Sequence, residues 1–183
     1  PTLTNGNTTL HVVDAVPVVD PVPLNPSISV SQPVDIFITA TNYPTSFSAG
    51  GLPLGLKFDT KTGRLTGKPT APSKKDTNGD YIPYKLSFKA INPVGPSVAE
   101  PFDLVVEALD PSVIGTFHGL VARAGHTNFG MGGHVQVTVA STGVVSGSTT
   151  LAGQKHSITG SLNVSLGNDP TAADRKSTRL NSS

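Results

Sequence analysis

Apolar residues in this chain recur at every second position, and no stretch repeats them on the 3.6-residue period of a helix. Successive side chains of a strand point to opposite faces, so a period of two buries one face of a sheet. Leu52, Leu54, Leu56 and Phe58 recur this way through GLPLGLKFD. In DIFITA (35–40), Ile36, Ile38 and Ala40 share one face while Phe37 and Thr39 share the other. YKLSFKAI (84–91) and FDLVVEAL (102–109) are the clearest strands, with further runs at SISVS (27–31) and TSFSAG (45–50). The breaks between them carry Pro and Gly, as in NPVGP (92–96) and in DTKTGRLTG (59–67), where Gly63 stands where a turn needs positive φ. The expected fold class is all-β, and short strands at this spacing favour a sandwich over a barrel.

Composition agrees and excludes several chemistries. Charged residues are 14% of the chain, against about 25% in an average soluble protein. The absence of cysteine rules out a thiolate zinc site, a thiol nucleophile and an iron–sulfur cluster. It does not exclude export, because 183 residues can bury a core without disulfides. No run of about 18 apolar residues occurs, so no transmembrane helix is expected. No signal peptide stands at the start. The chain begins at Pro1 and its only methionine is Met131, so the start of the protein is expected upstream.

Four parts are expected. Residues 1–16, containing TTLHVVDA (8–15), read as the terminal strand of a preceding repeat. Prolines 17, 21, 23 and 26 then make an extended connector or edge strand. Residues 17–109 form a β-sandwich. Residues 110–173 form a second antiparallel β-module with strands in VIGTFHGLVAR, GHVQVTVAS, GVVSGSTTLAG and KHSITGSLNVSL, joined by the Gly-containing turns GMGG, STG and AGQ. Such a meander has an apolar face to cover, so the module is expected to be incomplete or to pack on a neighbour. The last ten residues, DRKSTRLNSS (174–183), resemble translated sequencing adapter and read as an artefactual or disordered tail. The chain has 13 basic and 12 acidic residues, of which the tail holds three and one. The remainder, ten basic and eleven acidic, has a net charge of −1 and no basic face for nucleic acid.

ATNYPTSFSAGGLP (40–53), Gly55–Leu56, FDTKTGRLTGKPT (58–70), KAINPVG (89–95) and FDLVV (102–106) together carry a resemblance. Over residues 17–109 the chain resembles the immunoglobulin-like, cadherin-related repeat of large bacterial surface proteins. The resemblance implies an immunoglobulin-like β-sandwich in an extracellular protein, either on the bacterial cell surface (membrane-associated) or secreted. It implies a non-catalytic structural or adhesive role, with neighbouring β-repeats of the same chain and a surface protein or glycan as partners. One departure is SKKDTNGDYIP (73–83), which lengthens a loop that the repeat keeps short. The second segment resembles a short β-module found beside such repeats.

Polar clusters give few leads. Asp76, Asn78 and Asp80 in DTNGD are spaced to direct oxygens at calcium, the one cofactor the chain suggests. A full twelve-residue calcium loop has glycine sixth and an acid twelfth; here glycine is fourth and Ser87 twelfth, so an exposed Asn-Gly turn is the competing reading. Asp14, Asp20 and Asp110 lie near module joints without a motif. Among His11, His118, His126, His134 and His156, three are spaced by eight, about 27 Å along one strand, so only turns bring them together. No GxSxG motif or recognisable acid/base carboxylate pair occurs, and the chain is not expected to be an enzyme. Tyr43, Tyr81 and Tyr84 are the only candidates for a sugar platform in a chain without tryptophan. Two alternatives stand beside the structural module: an accessory domain of an extracellular carbohydrate-active enzyme, and a calcium-stiffened cadherin-like linker.

Overall fold

The computed structural model describes residues 2–5, 8–11, 14–122, 132–164 and 178–181. By internal contacts the chain forms two compact units. One comprises Pro1–Ile28, Val34–Gly67 and Lys74–Val105, and the other Ser29–Pro33, Lys68–Ser73 and Val106–Ser183.

The chain opens with β1 (Thr2–Asn5) and β2 (Thr8–His11), which pair antiparallel with one another. Residues 8–11 are thus one arm of a hairpin, whereas the alternation had suggested a single strand over 8–15. The proline-rich stretch that follows runs along residues 39–41, with Asp20 N–H donating to Thr39 O and Thr41 N–H to Val18 O.

Eight strands then build the immunoglobulin-like β-sandwich. They are β3 (Ser27–Ser29), β4 (Val34–Phe37), β5 (Ser46–Gly50), β6 (Leu56–Asp59), β7 (Arg64–Gly67), β8 (Tyr84–Asn92), β9 (Gly95–Pro96) and β10 (Glu100–Glu107). One sheet has the order β3-β10-β8-β5, with β9 folded back on β8; the other is β4-β7-β6. Val105 N–H donates to Pro26 O and Val30 N–H to Glu107 O, so numbering rises together along β3 and β10 and that pair is parallel. The other paired strands are antiparallel.

Period-two alternation decides what is buried. Along β8, Leu86, Phe88, Ala90 and Asn92 are buried and the residues between them are half-buried or exposed. Leu56 and Leu65 line the facing sheet, and the rings of Phe58 and Phe88 meet across the gap with centroids 5.8 Å apart. The expected run from Leu52 to Phe58 is not one strand. Pro53–Leu56 is a turn closed by Leu56 N–H to Pro53 O, and Leu54 at its tip is 75% exposed. A period of two inside a Pro/Gly-rich stretch therefore misassigned one leucine to the core.

Two glycines are required by their surroundings. Gly63 has φ +71° and a Cβ there would lie 2.5 Å from Ile38 O; Gly67 has φ +124° and a Cβ would lie 2.1 Å from Gly55 O. In the same turn Asp59 accepts from Lys61 N–H and Thr62 Oγ1. Arg64 makes a bidentate pair with Asp35 across β4 and β7, at 2.8 and 2.7 Å. The buried Asn92 carboxamide ties one end of the sandwich together. Its Oδ1 accepts from Val94 and Gly95 N–H, and its Nδ2 donates to Ala15 O and Asn42 O. Asn42 itself adopts φ +57° and donates to Val16 O.

The second unit contains an antiparallel meander of β11 (Gly115–Val121), β12 (Gly133–Val139), β13 (Val144–Leu151), β14 (Gln154–Val164) and β15 (Thr178–Asn181), in that order. β11 to β14 match the four expected strands, and β15 comes from the terminal segment. The expected turn at GMGG (130–133) lies partly outside the described residues. The AGQ turn is a two-residue loop with Ala152 and Gly153 both at positive φ, the twist that hairpins favour. The register puts Phe117, Val121, Val135, Val137, Val139, Val145, Leu151, Ile158, Leu162 and Val164 on one face. Val139, Val145, Leu162 and Val164 are buried, while Phe117 remains 45% exposed. Ser31 Oγ donates to Leu162 O at 2.7 Å, and Lys68 Nζ donates to the same carbonyl.

Asn92→Ala leaves two amides and two carbonyls without their partner. It is expected to lower stability by about 2–4 kcal/mol in urea titration, with the all-β circular dichroism spectrum retained. The second prediction concerns acid. Arg64 holds the Asp35 carboxyl below its ordinary range, and the Lys61 amide with the Thr62 hydroxyl does so for Asp59. Carboxyls depressed in the folded state stabilise fully above the ordinary value, and that stabilisation fades as pH falls through the depressed one. Unfolding midpoints are therefore expected to drop below pH about 4, and less steeply in Asp35→Asn and Asp59→Asn.

Candidate functional site

The inserted loop 73–83 is anchored at one end by Ser73. Its N–H donates to Val106 O, and its Oγ accepts from Val106 N–H. From there the loop forms a small hairpin of its own. Lys75 bridges Tyr81 antiparallel, Ile82 N–H donates to Lys74 O, and Asp76 N–H donates to Asp80 O. The Lys75 ammonium lies 4.7 Å from the Tyr81 ring centroid, within cation–π range. The hairpin is exposed from Lys74 to Asp80.

Asp76, Asn78 and Asp80 meet in one turn at its tip. Asp76 Oδ1 accepts from both Asn78 N–H and Asp80 N–H at 2.9 Å, and Gly79, at φ +92°, donates its N–H to Asp76 O. An aspartate that bonds backbone amides two and four residues ahead is an Asx-type turn former. One Asp76 oxygen is thereby engaged in holding the turn. Asp76 Oδ2 and the side-chain oxygens of Asn78 and Asp80 lie on the same exposed loop. Among the described residues, no three His, Asp or Glu side chains gather where they could hold a metal ion.

The other acidic candidates are tied to local structure. Asp20 Oδ2 accepts from Thr39 Oγ1 at 2.6 Å, and Asp110 Oδ1 caps the 3₁₀ turn Pro111–Val113 by accepting from Ser112 N–H. Asp14 is exposed. Tyr43, 59% exposed and at φ +51°, lies beside Asn42, whereas Tyr81 and Tyr84 are half-buried.

The histidines behave differently from their spacing. His126 lies outside the described residues. The antiparallel pairing of β11 with β12 sets His118 opposite Gln136 and His134 opposite Leu120, so the two imidazoles are diagonal neighbours on one face. With Gly119, Leu120 and Val135 they line an open hollow of about 290 Å³. Sixteen positions of sequence separation concealed this pair; the hairpin register is the signal that finds it. A smaller cavity of about 20 Å³ lies among Ser29, Leu109, Val113, Leu162 and Val164. No helix among the described residues is long and apolar enough to cross a membrane.

Comparison with known proteins adds one match. A sequence model of the family described as Putative Ig domain matches residues 16–107, half of the chain. No curated protein matches it.

The turn geometry makes a specific expectation. Asp76→Ala removes the acceptor of two amides, so exchange of the Asn78 and Asp80 N–H groups should accelerate about five- to tenfold. The global unfolding midpoint should stay nearly unchanged, because this exposed tip contributes little to the core. Amide exchange followed by NMR reads both.

Proposed function

This chain belongs to the Putative Ig domain family through residues 16–107, and on that footing we propose that it is a non-catalytic structural or adhesive module of a bacterial cell-surface or secreted repeat protein. The family membership carries the proposal. The deployment of polar groups supports it. The buried Asn92, Ser73 and Ser97 side chains all bond backbone groups of their own fold. Neighbouring β-repeats of the same chain, and a surface protein or glycan, are the partners this role would take.

Antibodies raised against residues 16–107 test it in the organism that carries the gene. Labelling of intact cells, or recovery of the antigen from the medium, is the expected result. Labelling only after permeabilisation would sink the proposal.

Calcium at the Asp76 turn is a second reading, favoured by the carboxyl and carboxamide oxygens of Asp76, Asn78 and Asp80 within five consecutive residues of one exposed tip. A bound ion raises stability by RT ln(1 + [L]/Kd). Under this reading the melting midpoint rises in calcium relative to chelator, and the rise disappears in Asp76→Ala/Asp80→Ala. Equal midpoints for the unsubstituted chain would remove it.

A further inference from the structure

β11 is an edge strand. β12 pairs with one side of it, and among the described residues no strand lies on the other. An edge presents a row of N–H and C=O groups ready to pair with another chain, and folded proteins usually blunt it with charge, proline or shortness. The sandwich follows that rule. β3 has three residues, β4 contains Asp35, and β6 contains Lys57 and Asp59. β5 gives Phe47 N–H to Thr60 O. β11 has none of these devices. Its seven residues, GTFHGLV, include no Lys, Arg, Asp, Glu or Pro, and they expose Leu120 to 89% and Phe117 to 45%.

We propose that the outer edge of β11 pairs with the same edge of a second copy of this chain, antiparallel about a twofold axis through His118. The strand's own sequence selects that occupant. Centring on His118 pairs all seven residues. Phe117 then faces Gly119 of the second copy, Leu120 faces Thr116, and Val121 faces Gly115. Each bulky apolar side chain meets a small one, His118 meets its own copy on the axis, and the strand has no Lys, Arg, Asp or Glu to set like against like. The existing β11–β12 pair uses the same match, with Gly115 opposite Val139, Gly119 opposite Val135 and Val121 opposite Gly133. The hollow lined by His118, Leu120 and His134 opens on the face that holds Thr116, which leaves room for side chains of the second copy. Two meanders joined in this way share one continuous sheet. The pairing is independent of where the protein resides.

Sedimentation of the full 183-residue chain tests the pairing from about 1 to 100 µM. A concentration-dependent dimer is expected. Thr116→Lys/Leu120→Lys sets lysine against lysine twice across the axis and should weaken the dimer at least about tenfold. Thr116→Glu/Leu120→Lys sets glutamate against lysine at the same two places and should restore it to within a few-fold of the unsubstituted chain. Both positions are exposed, and circular dichroism checks that the variants fold. Amide exchange in the unsubstituted chain is the independent measure: protection of β11 amides should rise with concentration. A monomer throughout the range, or β11 amides whose exchange ignores concentration, overturns the proposal. So does a dimer that Thr116→Lys/Leu120→Lys leaves intact, as one formed through the Val137 face would be. Failure of the glutamate–lysine variant to recover overturns it equally.

Discussion

Phe88 fixes the phase of the sandwich. It is fully buried on β8, between β10 and β5, and its ring meets Phe58 of the opposing sheet. Once that ring points inward, the period of two places Leu86, Ala90 and Asn92 inward as well. A slip of one residue would turn all four to solvent, so burial of Phe88 against the Phe58 ring sets the register of the central strand. The position of Asn92 follows from the same phase. A carboxamide in line with a phenylalanine must bury, and a buried carboxamide must find partners. It finds them in Ala15, Asn42, Val94 and Gly95, which closes that end of the fold.

Sequence revealed the parts of this fold that local physics decides. β8 and β10 follow from alternation, Gly63 from turn chemistry, and β11 to β14 from repeated apolar runs between glycines. Alternation reports which residues can share a face, not whether the backbone is extended. Leu54 shows the difference, since it keeps the rhythm of Leu52 and Leu56 while sitting on a turn. Strand partners were equally hidden. Residues 8–11 read as a strand, but nothing in TTLH says that it pairs with residues 2–5.

The candidate site was legible in its residues and hidden in its bonding. DTNGD names both a turn and a cation loop, because oxygen atoms serve either purpose. The structure engages one Asp76 oxygen with two amides of its own chain, a detail of backbone direction that residue spacing does not contain. His118 and His134 are the opposite case. Their spacing discouraged any grouping, and a hairpin register brought them together. Asn42 and Asn92 stood inside the family signature, yet their joint role at one end of the sandwich required the fold.

The β3–β10 pair has a kinetic side. Pro26 and Val105 are joined by a hydrogen bond across 79 positions of chain, whereas β13 and β14 close around a two-residue turn. Contacts between distant residues must pay loop-closure entropy before they gain stabilisation, and topologies rich in them fold slowly. The hairpins from β12 to β14 need no such search. On the ribosome the order of synthesis opposes the order of ease. The sandwich emerges first but cannot join β3 to β10 until residue 105 has cleared the exit tunnel, and by then the quick-folding hairpins are next to appear. For that interval β3 waits without its partner, whereas β4 can already pair with β7, and the brevity of β3 then limits mispairing with neighbouring nascent chains.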